Sequence, residues 1–184
     1  MINAALLLQG DFNQDMIKDI RLPILKIGAI ILIGLGIFLF LVSLFEPVFI
    51  TETHSIKGYW ILAMGWMGFA IFQFGWYANL LSLLVILLMF KHPFRAFFIA
   101  LFSLLVATDS LLFDQIPFGN GKENIAIIAN DIGLYLWIGA HCAILYAAIL
   151  LLIRKKMIDY EMAAQRSKRQ PIKRIEIIAY KEDA

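Results

Sequence analysis

Residues 58–90 read GYWILAMGWMGFAIFQFGWYANLLSLLVILLMF, a stretch of thirty-three residues without a charge. As one straight helix it would be about 50 Å long, at ~1.5 Å per residue. The hydrocarbon core of a bilayer is only ~30 Å thick and takes about 20 residues per span. The stretch is too long for one span and too short for two. We therefore expect it to cross the membrane once, with extra residues at its outer end.

The outer half of this stretch has two possible structures. Its glycines, Gly58, Gly65, Gly68 and Gly75, lie within about 100° of one another on a helix of 3.6 residues per turn. Such a glycine stripe indicates close backbone contact or a bend. We favour a tilted, kinked helix that extends past the bilayer. The alternative is a half-helix or re-entrant piece that lines a cavity, which membranes tolerate only where protein covers it.

The whole chain has the composition of an integral membrane protein. Of its 184 residues, 61% are hydrophobic and 16% are charged, and the mean hydropathy is +0.80. Soluble domains have about 45–50% apolar and about 25% charged residues. The apolar excess is concentrated in long runs, which is typical of transmembrane helices. The length suits one helical membrane domain with short ends.

Four apolar runs predict an all-α fold, an integral membrane four-helix bundle. The predicted spans are residues 23–45, 58–90, 96–113 and 125–153. Pro23 is expected at the first position of the first span, where its missing N–H has no helical partner. The pattern of apolar and charged residues in 1–22 predicts an amphipathic helix, which lies either on the membrane surface or docked on the bundle. Residues 154–184 form a basic tail, in which we expect Pro171 to end a helix that continues the last span.

The distribution of Lys and Arg predicts the topology. The tail carries nine basic residues, and the 91–95 loop carries Lys91 and Arg95, whereas the two other loops hold only Lys57 and Lys122. Cytoplasmic loops are rich in Lys and Arg. We therefore expect both termini and the 91–95 loop in the cytoplasm, which requires an even number of spans. A five-span alternative, with a hairpin at residues 76–79, would place one terminus outside.

Two short motifs carry a family resemblance. The sequences GWMG at residues 65–68 and WYAN at 76–79 resemble a pattern found in small uncharacterised bacterial multi-span inner-membrane proteins. The resemblance covers about a sixth of the chain. It implies a multi-pass protein of the bacterial inner (cytoplasmic) membrane and implies no activity.

Two carboxylates near the outer loop are the candidate polar site. Asp109 precedes the loop and Asp131 follows it, so both would lie roughly 7–10 Å inside antiparallel helices at ~1.5 Å per residue. Thr108 and Asn130 add polar groups at that depth. Intramembrane carboxylates usually face the bundle interior or a water-filled cavity, and a close pair would share a proton or a cation. The alternative is that the helices start late and both side chains are ordinary caps in headgroup water.

Small residues predict where helices pack. Gly139, Ala143 and Ala147 repeat at four-residue spacing, and Gly65 and Gly68 repeat on the long stretch. Such ladders are typical of tight helix contacts, within the fold or with a partner. His141, in the middle of the last span, is expected to hydrogen-bond across a helix pair. The basic tail is expected to anchor topology or to bind anionic lipid.

Function is predicted mainly from missing motifs. The sequence has no paired Cys or His spacing for zinc, no glycine-rich phosphate loop and no nucleophile with an obvious base. We expect no enzyme activity, no cofactor, no metal and no nucleic-acid partner. The prediction is a non-enzymatic interaction protein in the bilayer, an accessory subunit or an immunity-type protein, with a membrane-protein partner or a second copy. The alternative is a small oligomeric cation- or proton-coupled transporter or channel that uses Asp109 and Asp131.

Overall fold

The computed structural model describes residues 2–52, 54–116 and 125–182, and it is mostly helical, with 79% of residues in helices. The described residues form five α-helices. They are α1 (Ile2–Phe45), α2 (Gly58–Met64), α3 (Ala78–Leu88), α4 (Pro93–Thr108) and α5 (Ile132–Glu182). Five short strands also form. They are β1 (Pro47–Ile50), β2 (Ser55–Lys57), β3 (Gln115–Ile116), β4 (Ile125–Ala126) and β5 (Ala129–Asn130).

Among the described residues, three helical segments are long and apolar enough to cross a membrane. They are Arg21–Phe45, Pro93–Leu112 and Ile132–Ser167. The apolar segment Gly75–Leu88, which contains α3, is shorter. With eleven residues, α3 alone is about 16 Å long, roughly half the thickness of the hydrocarbon core.

Both long helices continue through a proline. Pro23 lies inside α1 rather than at its first position, and α5 continues through Pro171 to Glu182. The expectations that one helix begins at Pro23 and another ends before Pro171 are therefore wrong. An interior proline costs about 3 kcal/mol, but good helix formers on both sides, such as Leu, Lys, Arg and Gln, favour continuation. The surface position expected for residues 1–22 stays a prediction.

The decisive stretch, residues 58–90, is not one kinked helix. After α2 come a 3₁₀ helix at Gly65–Ile71, a left-handed residue at Phe72 with φ of 60°, a second 3₁₀ helix at Gly75–Tyr77, and α3. The backbone N–H of Gln73 donates to the carbonyl of Gly68 across this turn. The chain thus doubles back before α3 begins. We call residues 58–77 the cap segment.

Side chains hold the two halves of the cap segment together. The Trp76 indole N–H donates to the carbonyl of Leu62 at 2.9 Å, and the Tyr77 hydroxyl donates to the carbonyl of Trp66 at 3.1 Å. A Cβ at Gly65 would lie 2.6 Å from the Trp76 ring. Within the predicted glycine stripe, Gly65 therefore serves this reversal, because only a residue without a side chain admits the indole.

The long helices run in alternating directions. The first and last helices are neighbours: a Cβ at Gly36 would lie 3.1 Å from the carbonyl oxygen of Ala140, and the Arg154 side chain donates to the carbonyl of Leu22. At that same end, Met89 beyond α3 packs in one cluster with buried residues of α1, α4 and α5. We call this the tail end, because both termini project from it, and the opposite end the sheet end.

The sheet end carries the strands. One sheet has the order β2-β1-β5, all antiparallel, and a second pairs β3 with β4. The predicted fourth span is therefore too long: residues 125–130 contribute strands, and α5 begins only at Ile132. The predicted third span likewise leaves the α-helix at Thr108 and continues as a 3₁₀ helix to Leu112. An all-α description omits these strands, which the branched and aromatic residues of β1 favour.

Candidate functional site

A cavity of about 80 Å³ lies at the sheet end, between the cap segment and the ends of α1 and α5. Its walls are mostly aliphatic and aromatic. Polar groups that line it belong to Ser43, Gln73, Asn79, Ser110 and the Trp76 and Trp137 indoles. Trp137 donates its indole N–H to the Asn79 side-chain oxygen at 2.8 Å, so these two residues form a hydrogen-bonded part of the wall.

A buried polar cluster lies deeper in the bundle, next to this wall. The Trp137 ring packs edge-on against the His141 ring, with centroids 4.7 Å apart. His141 is only 3% exposed, and its Nδ1 lies 2.6 Å from the Ser82 hydroxyl. Ser82 in turn lies 3.0 Å from the hydroxyl of Ser103, which donates to the carbonyl of Ala78. The cluster thus joins α3, α4 and α5.

Counting protons fixes the direction of these hydrogen bonds. A serine hydroxyl has one proton, and that of Ser103 goes to the Ala78 carbonyl. Ser82 must then donate to Ser103, and the neutral imidazole of His141 must donate from Nδ1 to Ser82. The other ring nitrogen, Nε2, is left as an acceptor, and it is buried without a partner among the described residues.

This arrangement is suited to packing rather than to nucleophilic catalysis. A serine nucleophile needs a base that accepts its proton and a substrate that can reach its oxygen. The Ser82 proton goes to Ser103 instead, and Ser82 is 6% exposed. The cluster can hold three helices together by hydrogen bonds that lipid cannot replace.

The structure brings both predicted carboxylates to the sheet end and gives each a different backbone partner. Asp109 accepts a hydrogen bond from the backbone N–H of Phe74 at 3.3 Å. Asp131, immediately before α5, accepts one from the N–H of Ile132 at 2.6 Å. Within the described ranges no hydrogen bond joins the two carboxylates to each other. Asp109 thus bonds to the cap segment and Asp131 to the first residue of α5, and the shared site stays a prediction.

The neighbouring polar residues also serve local structure. Thr108 donates to the carbonyl of Leu105 within its own helix. Asn130, in β5, pairs with Phe49 of β1 and donates to the carbonyl of Leu111 at 3.5 Å. Among the described residues, no group of three His, Cys, Asp or Glu side chains is placed to hold a metal ion.

The predicted ladder on α5 lies partly inside the fold. Ala143 and Ala147 are 6% and 0% exposed, and a Cβ at Gly36 of α1 would lie 3.6 Å from that of Ala143. Gly139 is less tightly packed, since a Cβ at this position would lie 3.7 Å from its nearest neighbour, the Leu39 side chain. Gly65 and Gly68, as described above, face the returning half of the cap segment.

Sequence reasoning missed the partners of His141. Ser82 and Ser103 are single serines in apolar runs, and nothing in their spacing links them to a residue 59 or 38 positions away. One signal was available on α4. Ala96, Ala100, Ser103 and Ala107 are all buried and follow a three- and four-residue spacing, which is typical of a helix face in close contact.

Comparison with known proteins adds no assignment. No protein-family model matches the chain, and neither the curated proteins nor the solved structures that were compared with it give a match. The geometry defines a mostly helical protein with three helices able to cross a membrane.

Proposed function

We propose that this protein is a non-enzymatic integral membrane protein that acts by binding another membrane protein, as an accessory subunit or an immunity-type protein. We further propose that it spans the bacterial inner membrane four times with both termini in the cytoplasm. The alternating directions of α1, α3, α4 and α5 support an even number of crossings. The basic residues Arg21, Lys91, Arg95 and Arg154 all belong to the tail end, which supports its cytoplasmic placement.

In this proposal α1, α4 and α5 each cross the membrane alone, and α3 together with the cap segment makes one further crossing, the second in chain order. Alone, α3 is too short for an average bilayer. The doubled-back chain above it supplies further protein at the sheet end, where non-helical backbone is tolerated because protein surrounds it. The hydrogen bonds from Ser82 to α4 and α5 keep α3 inside the bundle.

The observation that carries the proposal is the length of the helices beyond the bundle. From residue 154 to 182, α5 continues for 29 residues, or about 43 Å. Helix α1 projects from the same end over residues 2–20, or about 29 Å. Helices this long usually gain their stability by packing. Within the chain, the extension of α5 is already half-buried at Met157, Ile158 and Glu161, so the side left for a partner is the exposed one.

The surface of the projecting part of α5 is suited to a partner. Tyr160 and Met162 are 78% and 43% exposed beyond the apolar part of the helix. Lys155 and Asp159 form an exposed ion pair at 2.8 Å with four-residue spacing, which adds about 0.3–0.5 kcal/mol to the helix. A charged helix that carries an exposed aromatic side chain resembles the anchors of protein interfaces.

The test is extraction from native membranes in mild detergent, followed by measurement of the native mass. The expected result is an assembly heavier than the 20.9 kDa chain with its detergent, containing a stoichiometric partner protein or a second copy. A chain that ends after Lys156 should insert normally and lose that partner. Tyr160→Ala should weaken the assembly, whereas Tyr59→Ala, which removes a 45% exposed tyrosine at the sheet end, should not.

The proposal is rejected if the full-length chain has the native mass of a monomer and the truncated chain is likewise a monomer. Catalytic turnover or ion flux by the isolated monomer would reject it in favour of another class.

A further inference from the structure

The cavity at the sheet end contains hydrogen-bonding groups that the fold does not use. Ser110 is 4% exposed and lines the cavity, and its hydroxyl has no hydrogen bond among the described residues. Asn79 uses its side-chain oxygen to accept from Trp137, and its NH₂ group donates to none of the described residues. Both residues line the same cavity, so their unused donors and acceptor are available to a ligand with polar atoms.

The backbone leaves room for the Ser110 hydroxyl by means of a glycine. Gly75 in the cap segment packs directly on Ser110, and a Cβ at Gly75 would overlap its Oγ. Gly75 is itself buried. A side chain at position 75 would therefore displace the hydroxyl of a residue that lines the cavity.

The rest of the wall defines the chemistry of the ligand. None of the described residues that line the cavity is charged. Burying a charge without a partner is costly, so the ligand is neutral. Phe49, Phe113 and the two indoles present aromatic surface, which favours an alkyl chain or a flat apolar body. At roughly 10–15 Å³ per water, the volume suits about five to eight waters, or a polar head with its first few carbons.

We propose that this cavity binds a neutral amphiphile from the bilayer, whose hydroxyl or carbonyl oxygen hydrogen-bonds to Ser110 and Asn79 while its apolar part contacts the aromatic wall. Such a molecule satisfies the two unused polar groups and covers the apolar surface at once. This inference concerns the sheet end and does not depend on a protein partner at the tail end.

The test uses a diazirine-bearing octanol as a photoprobe on the full-length protein in lipid nanodiscs, with adducts mapped by mass spectrometry. Adducts are expected on cavity residues such as Met64, Trp76 and Trp137, and excess unlabelled octanol should suppress them. The corresponding diazirine-bearing octanoate, which is charged, should label the cavity at least several-fold less. Adducts spread evenly over the exposed side chains of α4, such as Phe98 and Leu105, would overturn the proposal.

Two variants and a control test the role of the walls. Ser110→Ala removes one hydrogen bond and should weaken competition by octanol about 3- to 10-fold. Ile61→Trp fills the space and should abolish cavity adducts. Ser55→Ala, which removes an exposed hydroxyl from β2, should leave labelling unchanged. The proposed recognition is wrong if the octanoate labels the cavity as strongly as the octanol does. It is also wrong if unlabelled octanol suppresses labelling of Ser110→Ala as effectively as labelling of the unmodified protein.

Discussion

Ser82 is the central member of the buried cluster, and its removal should be the most costly serine deletion in the bundle. Its hydroxyl accepts from His141 and donates to Ser103, at 2.6 and 3.0 Å. Ser82→Ala deletes both hydrogen bonds at once. It also leaves the Nδ1–H of a side chain that is 3% exposed with only the Ser103 hydroxyl, at 3.5 Å, as a weak acceptor.

The magnitude follows from the number of bonds and from the group left unpaired. Side-chain hydrogen bonds between membrane helices contribute about 0.6 kcal/mol on average and up to about 1.7. An unsatisfied buried donor costs about 1–3 kcal/mol. We therefore expect Ser82→Ala to lower the free energy of unfolding by about 1–3 kcal/mol. Ser103→Ala should cost less, about 0.5–1.5 kcal/mol, because Ser82 remains bound to His141.

The assay is SDS-driven unfolding of the purified protein in lipid–detergent micelles, followed by helical circular dichroism. Ser43→Ala is the matched control: Ser43 is 2% exposed, but its hydroxyl donates only to the Phe40 carbonyl in its own helix. That change should cost less than about 0.5 kcal/mol, since such bonds add little to a helix.

A double-mutant cycle then isolates the Ser82–His141 contact. Ser82→Ala in a His141→Leu background should cost only about 0.6 kcal/mol, because the bond to Ser103 is lost but no imidazole remains to be left unpaired. The coupling energy should be about 1–2 kcal/mol. The reasoning is refuted if Ser82→Ala behaves like Ser43→Ala and the cycle shows no coupling.

Three further predictions concern topology, the cap segment and the carboxylates. Reporter fusions in the 91–95 loop and in the tail should both read cytoplasmic, and an external signal from the tail would reject four crossings. Gly58→Ala should destabilise the protein in SDS unfolding, because its Cβ would overlap the backbone of α1, whereas Gly34→Ala, with nothing within 4 Å, should stabilise it or leave it unchanged. In proteoliposomes, the unmodified protein should give no more proton or cation flux than empty liposomes do. Asp109→Asn and Asp131→Asn should leave that background flux unchanged. Flux that either change abolishes would favour the transporter alternative.

The long helices were predictable because their signal is a property of composition. Uncharged apolar runs bounded by charges indicate spans from the sequence alone, and Arg21–Phe45 and Pro93–Leu112 match the expected runs closely. The predicted start of the last span, at residue 125, was less accurate, because α5 begins at Ile132. Strands of two residues are too short to show an alternating pattern, so the start of α5 could not be placed.

The structure of residues 58–90 depends on contacts that spacing does not reveal. The same glycines are compatible with a kinked helix or with a reversal. The outcome is decided by particular pairs, such as the Trp76 indole on the Leu62 carbonyl and Gln73 on Gly68. These contacts depend on side-chain shape and on hydrogen-bond direction. The polar cluster around His141 was hidden for the same reason, because its members come from three different helices.

The contact between α1 and α5 has a consequence for biosynthesis. The Leu22 carbonyl and the Arg154 side chain that bonds to it are 132 residues apart in the chain. At about 5–20 residues per second, the ribosome makes the second roughly 7 to 26 s after the first. During that interval the face of α1 around Gly36 has no native neighbour. The nascent first helix must therefore wait in the membrane, held by lipid or by an insertion factor, until α5 has been translated.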